Sequence, residues 1–101
     1  MAVTSEVSGD GKTVTIKVAG RFDFSEQKEF REAYRNHTTP GQQFQVDLSG
    51  TEYMDSSALG MLLLLKEHAD SCKGKVELNK PSEAIRKILE MTNFNRQFTI
   101  N

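Results

Sequence analysis

The sequence predicts a single mixed α/β domain, in which a β-sheet of about five strands carries three helices packed mainly on one face. Its 101 residues, 37% hydrophobic and 27% charged, are typical of one folded domain with its own core. Several segments alternate apolar and polar residues, as half-buried strands do. In the second half these segments alternate with helical patterns, which predicts parallel strands joined by right-handed crossovers. We therefore treat residues 1–101 as one domain.

The predicted strands are segments in which every second residue is apolar. The clearest two contain Val14, Ile16 and Val18, and Phe44, Val46 and Leu48. A first strand over residues 3–7 precedes a turn at residues 9–11, so the first two strands are expected to form a hairpin. Shorter strands are expected at Val76 to Leu78 and at Phe98 to Ile100.

Helix-capping residues delimit three predicted helices. Ser25 is the expected N-cap of the first, whose apolar face contains Phe30, Ala33 and Tyr34. Ser82 opens the third helix, which closes near Asn93. The middle helix follows Asp55 as its N-cap and runs to about Cys72, before Gly74 stops it.

The middle helix has more apolar residues than one buried stripe needs. Leu59, Leu62 and Leu63, with the aliphatic stem of Lys66, could form an inward stripe, and Met61, Leu64 and Leu65 would then point partly away. We expect these last three to contact a partner, or alternatively to pack under the sheet edge or another helix.

Charge and composition exclude several classes of function. The 13 basic and 14 acidic residues give a net charge of −1, which lacks the positive field that attracts nucleic acid. No signal peptide and no membrane-spanning apolar run is readable, so we expect a cytoplasmic protein without a membrane partner. The single cysteine, Cys72, excludes an internal disulfide and a cysteine-based zinc cluster. Residues 36–65 contain three acids and no lysine or arginine.

The most informative segment is residues 46–65, VDLSGTEYMDSSALGMLLLL, in which a strand leads through a polar loop into the middle helix. Ser56 and Ser57 fall in the first helical turn, where free N–H groups and the helix dipole tolerate a negatively charged group. Taken alone, the two serines are explained either as helix caps or as a modification site.

The run Met54-Asp55-Ser56-Ser57-Ala58-Leu59-Gly60 resembles the signature of the STAS domain of bacterial anti-sigma factor antagonists, which usually reads Asp-Ser-Ser/Thr-Gly-Leu-Gly. The upstream run Gly20-Arg21-Phe22-Asp23 resembles that family's Gly-x-x-Asp, and the predicted element order is similar throughout. Ala58 departs from the commoner glycine, a mild change because a residue in the first helical turn does not need a positive φ.

The resemblance implies a partner-switching protein without enzymatic activity. Such a protein binds and sequesters an anti-sigma factor when unphosphorylated, and releases it when the serine at the position of Ser56 is phosphorylated. The kinase is the anti-sigma factor or a related histidine-kinase-like ATPase, and a PPM-type serine phosphatase reverses the reaction. ATP would be the kinase's cofactor, so no cofactor or metal is expected here.

The resemblance also implies that Asp23, Asp55 and Ser57 belong to the partner-binding surface. Met61, Leu64 and Leu65 are the expected apolar contacts of that surface.

Two other functions stay open at this stage. One is a STAS module that controls a different partner, such as a second-messenger enzyme or a biofilm or motility regulator. The other is a small serine hydrolase that pairs Ser56 with His37 or His68, although the Gly-x-Ser-x-Gly elbow is missing and His68 is expected to be solvated.

Overall fold

Strands and helices alternate through residues 2–101, the part of the chain that the computed structural model describes. The strands are β1 (Val3–Val7), β2 (Thr13–Val18), β3 (Gly20–Phe22), β4 (Gln43–Asp47), β5 (Thr51–Met54), β6 (Lys75–Asn79) and β7 (Thr99–Ile100). The helices are α1 (Gln27–Tyr34), α2 (Ser56–Ser71) and α3 (Glu83–Met91), with short 3-10 helices at Phe24–Glu26 and Phe94–Arg96.

Five strands form one mixed sheet in the order β1-β2-β4-β6-β7. β1 and β2 form the expected antiparallel hairpin, and every other neighbouring pair is parallel. The inward side chains of the central strands are fully buried, as at Ile16, Val46 and Leu78. Their neighbours Thr15 and Gln45, on the opposite face, are polar and half-buried. The predicted fold class, a five-stranded mixed sheet with three helices, is confirmed.

A second, two-stranded parallel sheet, β3 with β5, was not predicted. It is attached to the end of β2, because the buried Thr51 hydroxyl donates to the Val18 carbonyl at 2.7 Å and the Gly20 N–H donates to the Gly50 carbonyl at 2.8 Å. These strands have three and four residues, and their pairing shifts register between Gly20 and Arg21. Segments so short give too few alternating positions for a periodic pattern.

The first helical segment begins earlier than predicted, and Ser25 is not its N-cap. Asp23 caps the 3-10 helix that leads into α1, and Ser25 lies inside that helix. Both residues are good capping types two positions apart, so the sequence pattern could not rank them. Phe30 and Tyr34 are buried and Ala33 packs against the core, which confirms the predicted apolar face of α1.

The buried stripe of α2 is rotated relative to the prediction. Leu62 is buried and Leu59 is half-buried, but Leu63 is exposed. The fully inward positions follow helical spacing around Leu62, and they are Ala58, Met61, Leu62, Leu65 and Ala69. Met61 and Leu65 are therefore core residues, 4% and 0% exposed, and their assignment as partner contacts is wrong. Met61 and Leu65 instead pack in the core, which was the alternative prediction for them.

Lys73 and Gly74, which follow the C-cap Cys72, have different roles at the end of α2. Cys72 is buried at the C-cap, and the left-handed residue that follows is Lys73, with φ of 60°. Gly74 is needed for a close approach, because a Cβ there would lie 2.0 Å from the Gln42 carbonyl oxygen. Within residues 2–101, none of the helices combines the length and the apolar character needed to cross a membrane.

Candidate functional site

The site is built where the two short parallel strands end side by side. Phe22 of β3 pairs with Met54 of β5, and the Asp55 N–H donates to the Phe22 carbonyl at 3.4 Å. Each strand is followed at once by an aspartate, Asp23 or Asp55, that caps the helix after it. The β3–β5 pairing thus brings together the two sequence motifs, whose aspartates are 32 residues apart in the chain.

Asp55 is the N-cap of α2. Its Oδ1 accepts hydrogen bonds from the Ala58 N–H at 3.0 Å and from the Ser57 hydroxyl at 2.6 Å. The Ser57 hydroxyl and the Ala58 N–H hold the pKa of Asp55 below its ordinary value, and the nearby charge of Asp23 opposes them. Two carboxylates therefore lie within electrostatic reach of one another beside the first turn of α2.

Asp23 is arranged in the same way. Its Oδ1 accepts from both the backbone N–H and the hydroxyl of Ser25, and the Arg21 Nε donates to its other oxygen at 3.4 Å. The Ser25 hydroxyl is the main reason that the pKa of Asp23 is lowered. Ser25, predicted as a cap, is thus the donor to the residue that caps.

Ser56 is the first residue of α2, and its side chain is exposed. Asp55 performs the capping, so none of the side-chain hydrogen bonds among residues 2–101 uses the Ser56 hydroxyl. Ser57 is half-buried and its hydroxyl is bonded to Asp55. Of the two serines in the motif, Ser56 is the one that an enzyme in solution can reach.

The surroundings of Ser56 combine acidic and aromatic groups. Arg21, opposite Tyr53 in the β3–β5 register, places its guanidinium carbon 4.1 Å from the Tyr53 ring centroid and also pairs with Asp23. Two aromatic side chains are unusually exposed, Phe24 at 67% and Tyr53 at 42%. Neither residue was predicted from the sequence to belong to the site. The exposure of Tyr53 could be predicted only from the inward orientation of its neighbour Met54 in β5, since adjacent strand residues face opposite sides. No sequence pattern indicates that Phe24 is exposed.

The exposed part of α2 continues this surface. Leu63 and Leu64 are 37% and 49% exposed, whereas Met61 and Leu65 are buried. Leu64 is thus the one predicted apolar contact that a partner can reach, and Leu63 is an accessible residue that the sequence analysis placed inside.

The two histidines lie far from Ser56. His68 is twelve residues further along α2, about 18 Å at the helical rise. Its Nε2 lies 2.8 Å from the carbonyl oxygen of His37, and its ring packs between Tyr34 and Phe44 at centroid distances of 5.0 and 5.7 Å. The expectation that His68 is solvated is wrong, because α1 and β4 pack over its ring. Neither histidine can serve Ser56 as a base, so the hydrolase pairing is not supported by the geometry.

A metal site is equally absent from the described part of the chain: residues 2–101 hold no group of three or more His, Cys, Asp or Glu side chains placed to bind an ion.

The five-stranded mixed sheet with three helices, and the two capping aspartates near an exposed serine at a helix start, define the fold and the site that are compared with known proteins. The family model described as "Mlab, STAS domain" matches residues 5–100. The chain belongs to the STAS domain family. A STAS-domain containing protein of Pseudomonas aeruginosa (strain UCBPP-PA14) is 44% identical over 101 residues, with 100% of both chains covered.

Solved structures share the fold at lower identity. The anti-sigma factor antagonist SpoIIAA in its unphosphorylated form matches with a TM-score of 0.81 at 21% identity, covering 99% of this chain and 88% of that one. The phosphorylated form of the Bacillus cell fate determinant SpoIIAA gives 0.70 at 20% identity, covering 99% and 91%. A putative anti-sigma factor antagonist of Thermotoga maritima gives 0.79 at 19% identity, covering 97% and 84%.

Proposed function

We propose that this STAS domain is a partner-switching antagonist that binds an anti-sigma factor or a related serine kinase while Ser56 is unphosphorylated and releases it once Ser56 is phosphorylated. The observation that carries the proposal is the free, exposed hydroxyl of Ser56 at the start of α2, left unused because Asp55 caps the helix. SpoIIAA, which has the same fold, has been solved in unphosphorylated and phosphorylated forms.

Phosphorylation at Ser56 is compatible with the folded state. A phosphoserine adds about −1.5 to −2 charges, and the positive end of the helix dipole favours that charge in the first turn. Within residues 2–101 the Ser56 hydroxyl makes no hydrogen bond whose loss would weaken the helix, so we expect the domain to stay folded.

The effect is instead expected at the surface that a partner covers. The net charge would change from −1 to about −2.5 to −3, next to two carboxylates that are already charged at neutral pH. Residues 36–65 contribute no lysine or arginine, and Arg21 is engaged by Asp23 and Tyr53. A partner bound here would meet new repulsion and a phosphate to desolvate. A loss of about 3 kcal/mol is a change of about a hundredfold in affinity.

The kinase and phosphatase act on Ser56 in this scheme, and the domain itself supplies no cofactor. The kinase brings ATP and transfers its phosphoryl group to the Ser56 hydroxyl, whose proton is released. A PPM-type phosphatase hydrolyses the phosphate ester and restores binding. Asp23, Asp55 and Leu64 are assigned to the contact surface, and Ser57 holds Asp55 in place.

The test is phosphorylation in a native cell extract supplied with ATP, read by intact mass. We expect wild-type protein and the Ser57→Ala variant to gain one phosphoryl group, and the Ser56→Ala variant to gain none. An unchanged mass gain in Ser56→Ala would refute the assignment. Capture of partners from the same extract then distinguishes a sigma-factor regulator from a second-messenger enzyme or a motility regulator.

A further inference from the structure

A groove of about 400 Å³ lies between α1 and α2, and one of its lining residues, Leu64, is also assigned to the proposed contact surface. Its floor is apolar and aromatic: the half-buried His68 lines it together with Phe30, Tyr34 and Met61, which are only 1%, 6% and 4% exposed and belong to the core. Tyr34 packs against both Phe30 and His68, at centroid distances of 5.9 and 5.0 Å. The floor is therefore rigid, formed by side chains that are already fixed in the core.

The residues that line the groove follow helical spacing on both helices. Phe30 and Tyr34 are four residues apart on α1, and Met61, Leu64 and His68 follow with spacings of three and four on α2. Leu64 forms the wall and is 49% exposed, so nothing within residues 2–101 covers it. Met61 to His68 span about 10 Å at the helical rise, which matches the length of about two turns of an amphipathic helix.

The two walls carry opposite charge. Arg31 and Arg35 line the α1 side, and Lys28 lies beside them in the adjoining depression, together with Glu32. The α2 side carries Glu67. Among residues 2–101, the ion pairs closer than 4 Å are Arg21–Asp23 and Lys66–Asp70, so Lys28, Arg31 and Arg35 make none.

We propose that this groove docks an amphipathic helix of a partner protein, with apolar residues on the floor and acidic residues along the flank that faces α1. The charge complementarity with Arg31 and Arg35 selects an acidic helix, and the exposed Leu64 gives it an apolar anchor. The proposal does not depend on Ser56, so it survives or fails separately from the phosphorylation switch.

The test uses two synthetic probes of about 16 residues, long enough to be helical. Both carry leucine at i, i+4, i+7 and i+11; one has glutamate along a flank of the apolar face, and the other has lysine there. Binding to the full chain is read by fluorescence anisotropy at low salt, and the bound surface is located by backbone amide shifts. We expect the glutamate probe to bind at least tenfold more tightly, with shifts confined to α1 and α2.

Two charge-reversal variants test whether the basic residues of the groove bind the glutamate probe. The Arg31→Glu/Arg35→Glu pair is expected to weaken the glutamate probe at least tenfold and to favour the lysine probe. The Lys75→Glu/Lys87→Glu pair makes the same charge change on exposed positions outside the groove and is expected to leave binding unchanged. Leu64→Asp should abolish binding while leaving the circular dichroism spectrum unchanged.

Four results would overturn the proposal. They are no saturable binding of the glutamate probe, equal affinity for both probes, equal weakening by the two charge-reversal pairs, and concentration-dependent dimerisation that Leu64→Asp abolishes. The last would show that a second copy of the chain occupies the groove. Loss of probe binding with normal phosphorylation of Ser56 would leave the proposed function intact.

Discussion

The N-termini of α2 and α3 differ in which residue caps the helix. In α3, Ser82 is the N-cap and its hydroxyl accepts from the Ile85 N–H at 3.2 Å. In α2, Asp55 is the N-cap, and Ser56 follows it as the first helical residue. The Ser82 hydroxyl thus stabilises its helix as a cap, whereas the Ser56 hydroxyl is not used as a cap within residues 2–101. Because an aspartate stands one position before Ser56, the capping role and the proposed phosphorylation site belong to different residues.

The largest difference between Ser56 and Ser82 should be in their effect on partner binding. Ser56→Asp puts a charge at the proposed contact surface and is expected to weaken binding of the captured partner about a hundredfold, the equivalent of about 3 kcal/mol. Ser82→Asp adds the same charge at a helix start while keeping a capping side chain, so binding should be unchanged. Titration calorimetry measures both, and equal affinities for the two variants would contradict the assigned surface.

The second largest difference between Ser56 and Ser82 should be in stability, and here Ser82 is the residue that matters more. Ser82→Ala removes a cap and is expected to lower the free energy of unfolding by about 1 kcal/mol. Ser56→Ala removes a hydroxyl that has no hydrogen-bond partner among residues 2–101, and it should change the free energy of unfolding by less than about 0.5 kcal/mol. Urea denaturation compares the two variants, and a larger loss for Ser56→Ala would show that its hydroxyl is structural.

The two caps should also differ in their dependence on pH. The pKa of Asp55 is lowered in the folded protein, so its carboxylate stabilises the fold fully above its ordinary pKa, and this stabilisation is lost as the pH falls through the lowered value. Asp55→Asn keeps a cap that does not titrate. The stability advantage of wild type over this variant should therefore shrink between about pH 5 and pH 2.

The Ser82 hydroxyl does not titrate, and it provides the control for this pH series. The deficit of Ser82→Ala relative to wild type is expected to stay constant over the same range. Urea midpoints at each pH measure both differences. A pH-independent deficit for Asp55→Asn would mean that the charge of Asp55 is not part of the cap.

The smallest expected effect is a shift in the pKa of Asp55, which should distinguish Ser57 from its neighbour Ser56. Its hydroxyl is the largest cause of the lowered pKa of Asp55. Ser57→Ala should therefore raise the pKa of Asp55 toward its ordinary value, whereas Ser56→Ala should leave it unchanged. NMR titration of the Asp55 carboxyl carbon measures this shift, and an equal shift in both variants would mean that the hydrogen bond to Ser57 is not specific.

Much of this architecture could be predicted because its elements are long or strongly periodic. The alternation around Ile16 and Val46 gave β2 and β4, and the caps Asp55 and Ser82 were both correct. The motif containing Ser56 was found by its resemblance to a family, since hydroxyls at a helix start are otherwise explained as caps.

The remaining features depend on tertiary contacts. Residues 58–65 of α2 are all apolar or glycine, so only packing against α1 and the sheet decides that Met61 and Leu65 face inward while Leu63 does not. The short strands β3 and β5 exist through pairing with one another, and it is this pairing that brings Asp23 to Asp55. The half-buried position of His68 follows from rings contributed by α1 and β4.

The most direct test of the central claim compares protein carrying phosphoserine at position 56 with unmodified protein, and with protein carrying phosphoserine at position 82. For phosphoserine at position 56 we expect the circular dichroism spectrum and urea midpoint of unmodified protein, with partner affinity reduced about a hundredfold. Phosphoserine at position 82 should bind the partner as unmodified protein does. Full partner affinity with phosphoserine at position 56, or loss of the folded state, would contradict a switch that acts at the surface of a folded STAS domain.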